Sequence, residues 1–343
     1  MLELGIESTR GDLVESVHRV SVAVVDADDR LVASAGEPDL VTFWRSAAKP
    51  FQAIPVVADG AADAVGFSDE MLALACASHS SEPGHRALAL GMLAQAGHHE
   101  HELACGPHVP LSPAVAATVV REGIAMTPSW SNCSGKHAAM LAQARHAGWP
   151  SAGYVDAAHP LQQRLLDEVS RWTGVARHAI GLGIDGCTTV CFALPLRAMA
   201  LAYARLAVSE EPAARRVREA FMAHPWLVAG TGRLCTDLMA SRPRLAFAKL
   251  GAEGVYCAGL PGLGLGLALK VEDGDMRAAP IALLAVLRDL VPHVAGLAEL
   301  LATPAVARHA ALPLENTRGA VTGYLRARGA LRFAPARAGM VRA

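Results

Sequence analysis

Apolar and polar positions along the chain predict strands near both ends and helices between them. Near the start, β-prone runs at residues 20–25 and 31–34 flank an Asp-rich turn, which predicts a hairpin. Helical periodicity then dominates, in segments at about residues 68–76, 84–96, 113–122, 135–147, 160–173, 196–207 and 211–223. Strand patterns return at residues 245–249, 254–258 and 264–271, before a helix expected at about residues 279–291.

The order of these elements predicts an α/β (α+β) fold with a mixed sheet built from both chain ends. A helical lobe inserted between those ends allows every apolar face to be buried. We therefore expect one catalytic domain of two lobes, with a sheet lobe at about residues 1–45 and 240–330 and a helical lobe at about residues 46–239. Residues 331–343, rich in Ala and Arg, are expected to form a loose tail.

Composition excludes several classes of protein. Apolar residues make up 52% of the 343 positions and charged residues 18%, which is typical of a folded globular protein. Lys and Arg total 31 against 32 acidic residues, so no net field attracts nucleic acid or an anionic membrane, and a small, near-neutral substrate fits better. No apolar run is long enough to cross a bilayer, and the N-terminus lacks signal-peptide features. Seven cysteines, an odd number, predict reduced thiols and a cytoplasmic protein.

Ser46 and Lys49 have the spacing of a serine–lysine nucleophile. Residues three apart share one face of a helix, and Pro50 indicates that a helix begins close by. The partial positive charge of a helix start and the neighbouring Arg45 both lower the pKa of a lysine. A neutral Lys49 could then take the proton of Ser46, although Ser46 could also be a plain helix cap.

Two later segments extend this pattern. A polar loop contains Ser78, and Lys249 ends a predicted strand in the last third of the chain. Their order after Ser46 and Lys49 is similar to that of the penicillin-recognising serine enzymes. Those enzymes carry Thr or Ser where this chain has Leu250, so the pattern weakens β-lactam chemistry and leaves a serine–lysine amidase.

Cys133 and Cys187 are candidate ligands of a soft metal ion. Cys133 opens a predicted helix, and Cys187 lies in a glycine-rich loop. With a nitrogen donor from Lys136 or His137, two thiolates would suit tetrahedral zinc. The alternative is two ordinary buried cysteines. The segment that ends in Arg233 reads as a structural turn.

Six blocks of the sequence together resemble the Rhizobium etli-type L-asparaginases, across about residues 15–330. The blocks are RSAAKPFQ at residues 45–52, CASHS at 76–80, NCSGKH at 132–137, GIDGC at 183–187, VAGTGR at 228–233 and AKLGAEGV at 248–255. Several blocks in one order are far more specific than any one motif.

The resemblance implies a serine β-lactamase-like or glutaminase-like fold, a homodimer, and hydrolysis of L-asparagine to L-aspartate and ammonia. It also implies two serine–lysine tandems, which fall on Ser46 with Lys49 and on Ser78 with Lys249. Ser46 would attack the side-chain amide and form a β-aspartyl ester. Ser78 would relay a proton or hold the substrate.

The resemblance further implies a zinc ion held by two cysteines and a lysine. These ligands fall on Cys133, Lys136 and Cys187, so His137 is not a ligand under this interpretation. His137 and Asp185 then become candidate substrate contacts.

Arg45 is a candidate for binding the α-carboxylate of the substrate, because its planar fork matches a carboxylate. A salt bridge within the protein is the alternative for the same side chain. Two other functions stay open: a penicillin-binding or β-lactamase-like serine acylase, and a protein that binds an amino acid without turning it over.

Overall fold

The computed structural model describes residues 3–335. Its strands are β1 (Gly5–Arg10), β2 (Leu13–Asp26), β3 (Leu31–Ala35), β4 (Val41–Phe43), β5 (Gly181–Ile184), β6 (Val190–Pro195), β7 (Phe247–Leu250), β8 (Val255–Leu260), β9 (Leu265–Val271), β10 (Ala311–Glu315), β11 (Val321–Arg328) and β12 (Arg332–Phe333). Its helices are α1 (Lys49–Ala58), α2 (Ala61–Val65), α3 (Asp69–Ala75), α4 (Pro83–Gln95), α5 (Pro113–Glu122), α6 (Ser134–His146), α7 (Pro160–Thr173), α8 (Leu196–Val208), α9 (Pro212–Ala223), α10 (Pro225–Val228), α11 (Leu234–Ser241), α12 (Ala278–Leu290), α13 (Leu297–Ala302) and α14 (Pro304–Ala307).

The chain divides into two compact units, and the first contains the large sheet. This unit takes its described residues from 3–42, 194–208 and 237–335. The strands run in the order β10-β11-β1-β2-β9-β8-β7, and β3 pairs with both β2 and β12. The long strand β2 joins the two halves, because its start pairs with β1 and its buried end pairs with β3 and β9.

Helices cover this sheet where its side chains are apolar. Helix α8 packs on β2, β8 and β9, and α12 packs on β1, β8, β9 and β11. All seven residues of β9 are buried, as expected for a strand with neighbours on both sides and a helix on its face. Gly266 in β9 allows α8 to approach, since a Cβ there would lie 2.0 Å from Ala200 O and 2.3 Å from Ala204 N.

The second unit is mainly helical and contains residues 43–193 and 209–236. Helix α6 lies at its centre, in contact with α1, α2, α3, α4 and α7. Small residues allow this burial: a Cβ on Gly135 would lie 2.5 Å from Leu74 O, so the start of α6 sits directly against the end of α3. Strands β5 and β6 pair antiparallel, from Gly181 opposite Ala193 to Ile184 opposite Val190, and their turn contains Cys187.

The α/β (α+β) class predicted from the sequence is confirmed, with a sheet built from both chain ends. The sheet itself is a correction, because the strand pairs of the large sheet are antiparallel and not mixed. Short hairpins connect most neighbouring strands, and a short connection brings strands together only in the antiparallel sense. No helix in the described part of the chain is long and apolar enough to cross a membrane.

Two predicted boundaries differ from the structure. Leu194–Val208, expected in the helical lobe, belongs to the first unit, where the apolar face of α8 is buried on the sheet. Part of the loose tail expected at residues 331–343 is ordered, because β12 pairs with β3 from Arg332 opposite Ser34. The rest of that tail, residues 336–343, lies outside the described residues.

The approach of α8 to β9 generates a stability prediction. Replacing Gly266 by Ala puts a methyl group against helix backbone, which cannot yield as a flexible side chain can. We expect a loss of about 1–3 kcal/mol in the free energy of unfolding, measured by urea denaturation. Gly262→Ala is the matched control, because a Cβ there would meet nothing within 4 Å. Equal unfolding free energies for the two variants would contradict the packing described.

Candidate active site

Ser46 and Lys49 lie where a 3₁₀ turn, Arg45–Ala48, passes into α1. Trp44 anchors the turn, with its ring 4.8 Å from that of Phe51 and its backbone N–H donating to Phe192 O at 2.8 Å. Arg45 has a φ of +53°, a conformation that costs a non-glycine residue free energy and is common at functional sites. Ser46 is half-buried, whereas Lys49 is only 1% exposed.

The amine of Lys49 contacts two other segments of the second unit. Its Nζ lies 3.0 Å from Ser78 Oγ and 3.1 Å from Cys133 Sγ, and it also donates to Ala77 O. Within residues 3–335 the hydroxyl of Ser46 makes no hydrogen bond to Lys49. The structure therefore brings Lys49 to the second predicted serine as well as to a predicted metal ligand.

Backbone hydrogen bonds hold Ser78 in place from both sides. Its N–H donates to Val228 O at 3.0 Å, and the next N–H, of His79, donates to Asn132 O at 3.2 Å. The carbonyl oxygen of Ser78 accepts from Arg233 Nη1 at 2.8 Å. The position of the Ser78 hydroxyl is thus set by three separate loops.

His79 links this loop to the start of α6. Its Nδ1 accepts from Ser81 N at 3.1 Å, so the proton lies on Nε2, which is 2.9 Å from Ser134 Oγ. Burial holds the pKa of His79 well below its ordinary value, and the adjacent His85 ring acts in the same direction. The ring of His79 is therefore neutral and donates to Ser134.

Cys133, Lys136 and Cys187, the ligand set that the resemblance implies, lie close together. Lys136 Nζ donates to Cys187 Sγ at 3.0 Å, and the Cys133 thiol donates to Asn132 Oδ1 at 2.9 Å. The neighbouring thiol of Cys133, together with Lys136, lowers the pKa of Cys187 to about 5 against the effect of burial. Cys133 keeps its proton, because the neighbouring Cys187 and burial raise its pKa to about 12.

Lys136 is positively charged in this arrangement. Burial favours the neutral amine, but the sulfur atoms of Cys187 and Cys133 outweigh it and raise the pKa of Lys136 above its ordinary value. A thiolate, a thiol and an amine form a donor set that fits zinc once the thiol and the amine lose their protons. The described residues contain no group of three or more His, Cys, Asp and Glu side chains that could hold a metal, so the lysine would have to be the third ligand.

Arg45 and Asp185 form an ion pair in the second unit. The Nε and Nη2 atoms of Arg45 lie 3.0 and 2.9 Å from Asp185 Oδ1, which also accepts from Gly186 N at 2.7 Å. Burial acts to raise the pKa of Asp185, but the charges of Lys136 and Arg45 hold it below its ordinary value. Two donors of the Arg45 fork are therefore engaged by the protein itself.

His137 is fully buried and neutral, since burial and the Lys136 charge lower its pKa to about 3. The Tyr154 hydroxyl accepts from Ala104 N at 2.9 Å and therefore donates to His137 Nδ1, 2.6 Å away. The ring proton of His137 is then on Nε2, a buried atom with no hydrogen-bond partner. Such an orphaned donor is costly unless a ligand meets it.

Lys249 lies in the first unit, on β7, and is 1% exposed. Its Nζ donates to Leu250 O at 2.8 Å. The tandem of Ser78 with Lys249 stays a prediction.

Comparison with known proteins decides the family. The family model of L-asparaginase II matches residues 6–327. The chain belongs to the L-asparaginase II family. Among solved structures, a candidate beta-lactamase from Bacteroides dorei DSM 17855 is similar at 13% identity and a TM-score of 0.41, over 75% of this chain and 88% of that chain. No curated protein matches the chain.

Three residues near the site of this L-asparaginase II family member were not predicted from the sequence. Arg233 and His79 hold the Ser78 loop, and Tyr154 orients His137. The segment that ends in Arg233 predicts a structural turn. His79 lies in a motif in which Ser78 was the predicted functional residue. Tyr154 lies in no motif, so only the fold places it here.

The buried state of His79 gives a pH prediction for this family member. Its pKa in the folded state lies below the value of about 6.5 that is normal for an unfolded chain. As the pH falls below that value, only the unfolded state takes up the proton, so stability falls by up to about 1.4 kcal/mol per pH unit. We expect His79→Gln to reduce this slope in urea denaturation between pH 7.5 and 5, and the exposed His178→Gln to leave it unchanged. The same slope in His79→Gln and wild type would refute this assignment.

Proposed function

We propose that this chain is an L-asparaginase that hydrolyses L-asparagine to L-aspartate and ammonia through a serine–lysine site. The family assignment supports an amidohydrolase acting on a small amide. The observation that carries the proposal is the buried Lys49, one helical turn from Ser46 and 3.0 Å from Ser78 Oγ. A buried amine beside a serine hydroxyl is an arrangement that can activate a hydroxyl for attack on a carbonyl.

In the proposed reaction, Ser46 Oγ attacks the side-chain amide carbon of the substrate. Lys49, as the neutral amine, takes the hydroxyl proton, and this proton passes to the leaving nitrogen as the C–N bond breaks and ammonia departs. A β-aspartyl ester of Ser46 remains. Water then attacks the ester carbon and gives its proton back through Lys49, which frees Ser46 and L-aspartate. The contact between Lys49 and Ser78 supports a role for Ser78 as a proton relay.

The half-burial of Ser46 favours it over Ser78 as the nucleophile. Ser46 is partly exposed, whereas Ser78 is only 6% exposed and already bonded to Lys49. His137 and Asp185 are proposed substrate contacts. The unpartnered Nε2–H of His137 can donate to a substrate oxygen, and the ionised Asp185 can accept from the substrate amine.

We also propose a zinc ion on Cys133, Lys136 and Cys187. Zinc would supply a Lewis acid next to the serine–lysine site, with one position left for water or substrate. Cys187 is already poised as a thiolate, whereas Lys136 carries a proton that metal binding must displace. The affinity for zinc should therefore rise with pH.

A cytoplasmic homodimer completes the proposal. All seven cysteines are free thiols, which supports a reducing compartment. The homodimer rests on the resemblance to Rhizobium etli-type L-asparaginases.

Ammonia release tests the reaction. We expect wild type to release ammonia from L-asparagine, and Ser46→Ala to lower kcat/KM by at least about a thousandfold, because the bond-forming oxygen is lost. Ser78→Ala should lower kcat less than Ser46→Ala, since a water molecule can replace a relay. Ser209→Ala, at a partly exposed serine between α8 and α9, is the control.

Three outcomes would contradict this function. Full activity of Ser46→Ala on L-asparagine removes the nucleophile. Turnover of a chromogenic β-lactam without ammonia release favours the serine acylase. Binding of L-asparagine with no turnover by wild type favours a binding protein.

Metal analysis of the purified protein tests the zinc site. We expect stoichiometric zinc in wild type and a loss of most of it in Cys133→Ala and Cys187→Ala, because each variant removes a thiolate ligand. Cys257→Ala, at a buried cysteine of β8 in the first unit, should keep its zinc. Unchanged metal in both ligand variants would remove the site.

A further inference from the structure

Arg233 places a guanidinium against Ser78, one of the two serines of the proposed site. Its Nη1 donates to Ser78 O at 2.8 Å and to Ala229 O at 3.4 Å, both within the second unit. The hydroxyl of that same Ser78 is 3.0 Å from Lys49 Nζ. The Arg233 guanidinium and the Lys49 amine therefore contact the same residue, Ser78, one at its carbonyl oxygen and the other at its hydroxyl.

The charge of Arg233 is not neutralised by the part of the chain that the structure describes. No carboxylate of residues 3–335 lies within ion-pair distance of it, and its Nε and Nη2 make no hydrogen bond there. The side chain is nevertheless half-buried. A partly desolvated cation with unused donors is unfavourable unless an anion arrives to pair with it.

Other arginines around the site have their partners within the protein. Arg45 is committed to Asp185 through two nitrogens. Arg86 also donates to the loop of Ser78, to Ser81 O at 3.2 Å, but its guanidinium lies over the Trp130 ring at 3.7 Å. Within residues 3–335, Arg233 alone of these three has neither a carboxylate nor an aromatic ring as a partner for its charge, and only its Nη1 is committed to the loop.

We propose that Arg233 binds the α-carboxylate of the amino acid substrate and so selects for a free amino acid. This inference rests on the proposed asparaginase function. Three bonds separate the amide carbon of L-asparagine from its carboxylate carbon, a span of up to about 4 Å. A substrate whose amide is within reach of Ser46 or Ser78 thus puts its carboxylate within reach of a side chain that touches Ser78. A guanidinium fork binds a carboxylate with two parallel hydrogen bonds, and its free nitrogens can supply them.

Substrates with and without the carboxylate charge separate this role from a structural one. For Arg233→Gln we expect the KM for L-asparagine to rise about ten- to a hundredfold, as expected for loss of a charged hydrogen bond, with a smaller change in kcat. The α-methyl ester of L-asparagine has no carboxylate charge, so its kinetic constants should differ little between Arg233→Gln and wild type. A clamp on the Ser78 loop would instead lower kcat for acid and ester by the same factor, and that result would overturn the proposal.

Arg86→Gln is the matched control, because it removes another arginine that donates to a carbonyl of the same loop. Its ratio of acid to ester turnover should equal that of wild type. If Arg233→Gln does not fold, judged by its melting curve, Arg233→Lys replaces it. A lysine keeps the charge without the fork, so this variant should bind L-asparagine more weakly than wild type, and equal KM values would overturn the proposal.

Calorimetry with L-aspartate distinguishes failure of this inference from failure of the proposed function. If wild type releases no ammonia from L-asparagine, the proposed function fails, but carboxylate binding can still be measured. Wild type should bind L-aspartate at least tenfold more tightly than Arg233→Gln does, with no such difference for its α-methyl ester. Equal affinities of the two proteins for L-aspartate, or no binding by wild type, would overturn the role of Arg233 whatever the turnover.

Discussion

The buried amine of Lys49 is the contact on which the arrangement of the second unit's site depends. A lysine at 1% exposure loses its hydration, and acceptors from the protein must replace it. Those acceptors are Ala77 O and Ser78 Oγ, in the loop that follows α3, and Cys133 Sγ, just before α6. Because α6 itself packs directly on α3 through Gly135, the lysine lies where turn, loop and helix start meet. Lys49 thereby joins Ser78 to Cys133, one of the proposed metal ligands.

Alternating charges extend from this cluster. Arg45 is paired with Asp185, the charge of Lys136 holds down the pKa of that carboxyl, and Lys136 in turn is paired with the thiolate of Cys187. Each buried charge has an opposite neighbour, which offsets its desolvation cost. Arg233 stands outside this series, and for that reason it is available to an anionic ligand.

The sequence predicted most of the helices and the late strands, because their apolar periodicity is strong. It did not predict β1 and β11, whose alternating polar residues are typical of strands near a sheet edge. Helical spacing correctly predicted that Ser46 and Lys49 are neighbours in one turn. Spacing does not determine where a long, flexible side chain ends, so the contact of Lys49 with Ser78 required the tertiary structure. Cys133, Lys136 and Cys187 lie close together, whereas the sulfur neighbours that keep the buried Lys136 charged are a property of the fold alone.

In the proposed reaction, Ser46 forms a covalent ester with the substrate. Rapid acid quenching of the protein with L-asparagine, followed by peptide mapping with mass spectrometry, measures that bond directly. We expect an added β-aspartyl group on the peptide that contains Ser46, and its absence in Ser46→Ala. An aspartyl group on any other residue of the turning-over protein, or active turnover with no adduct at any quench time, would contradict it.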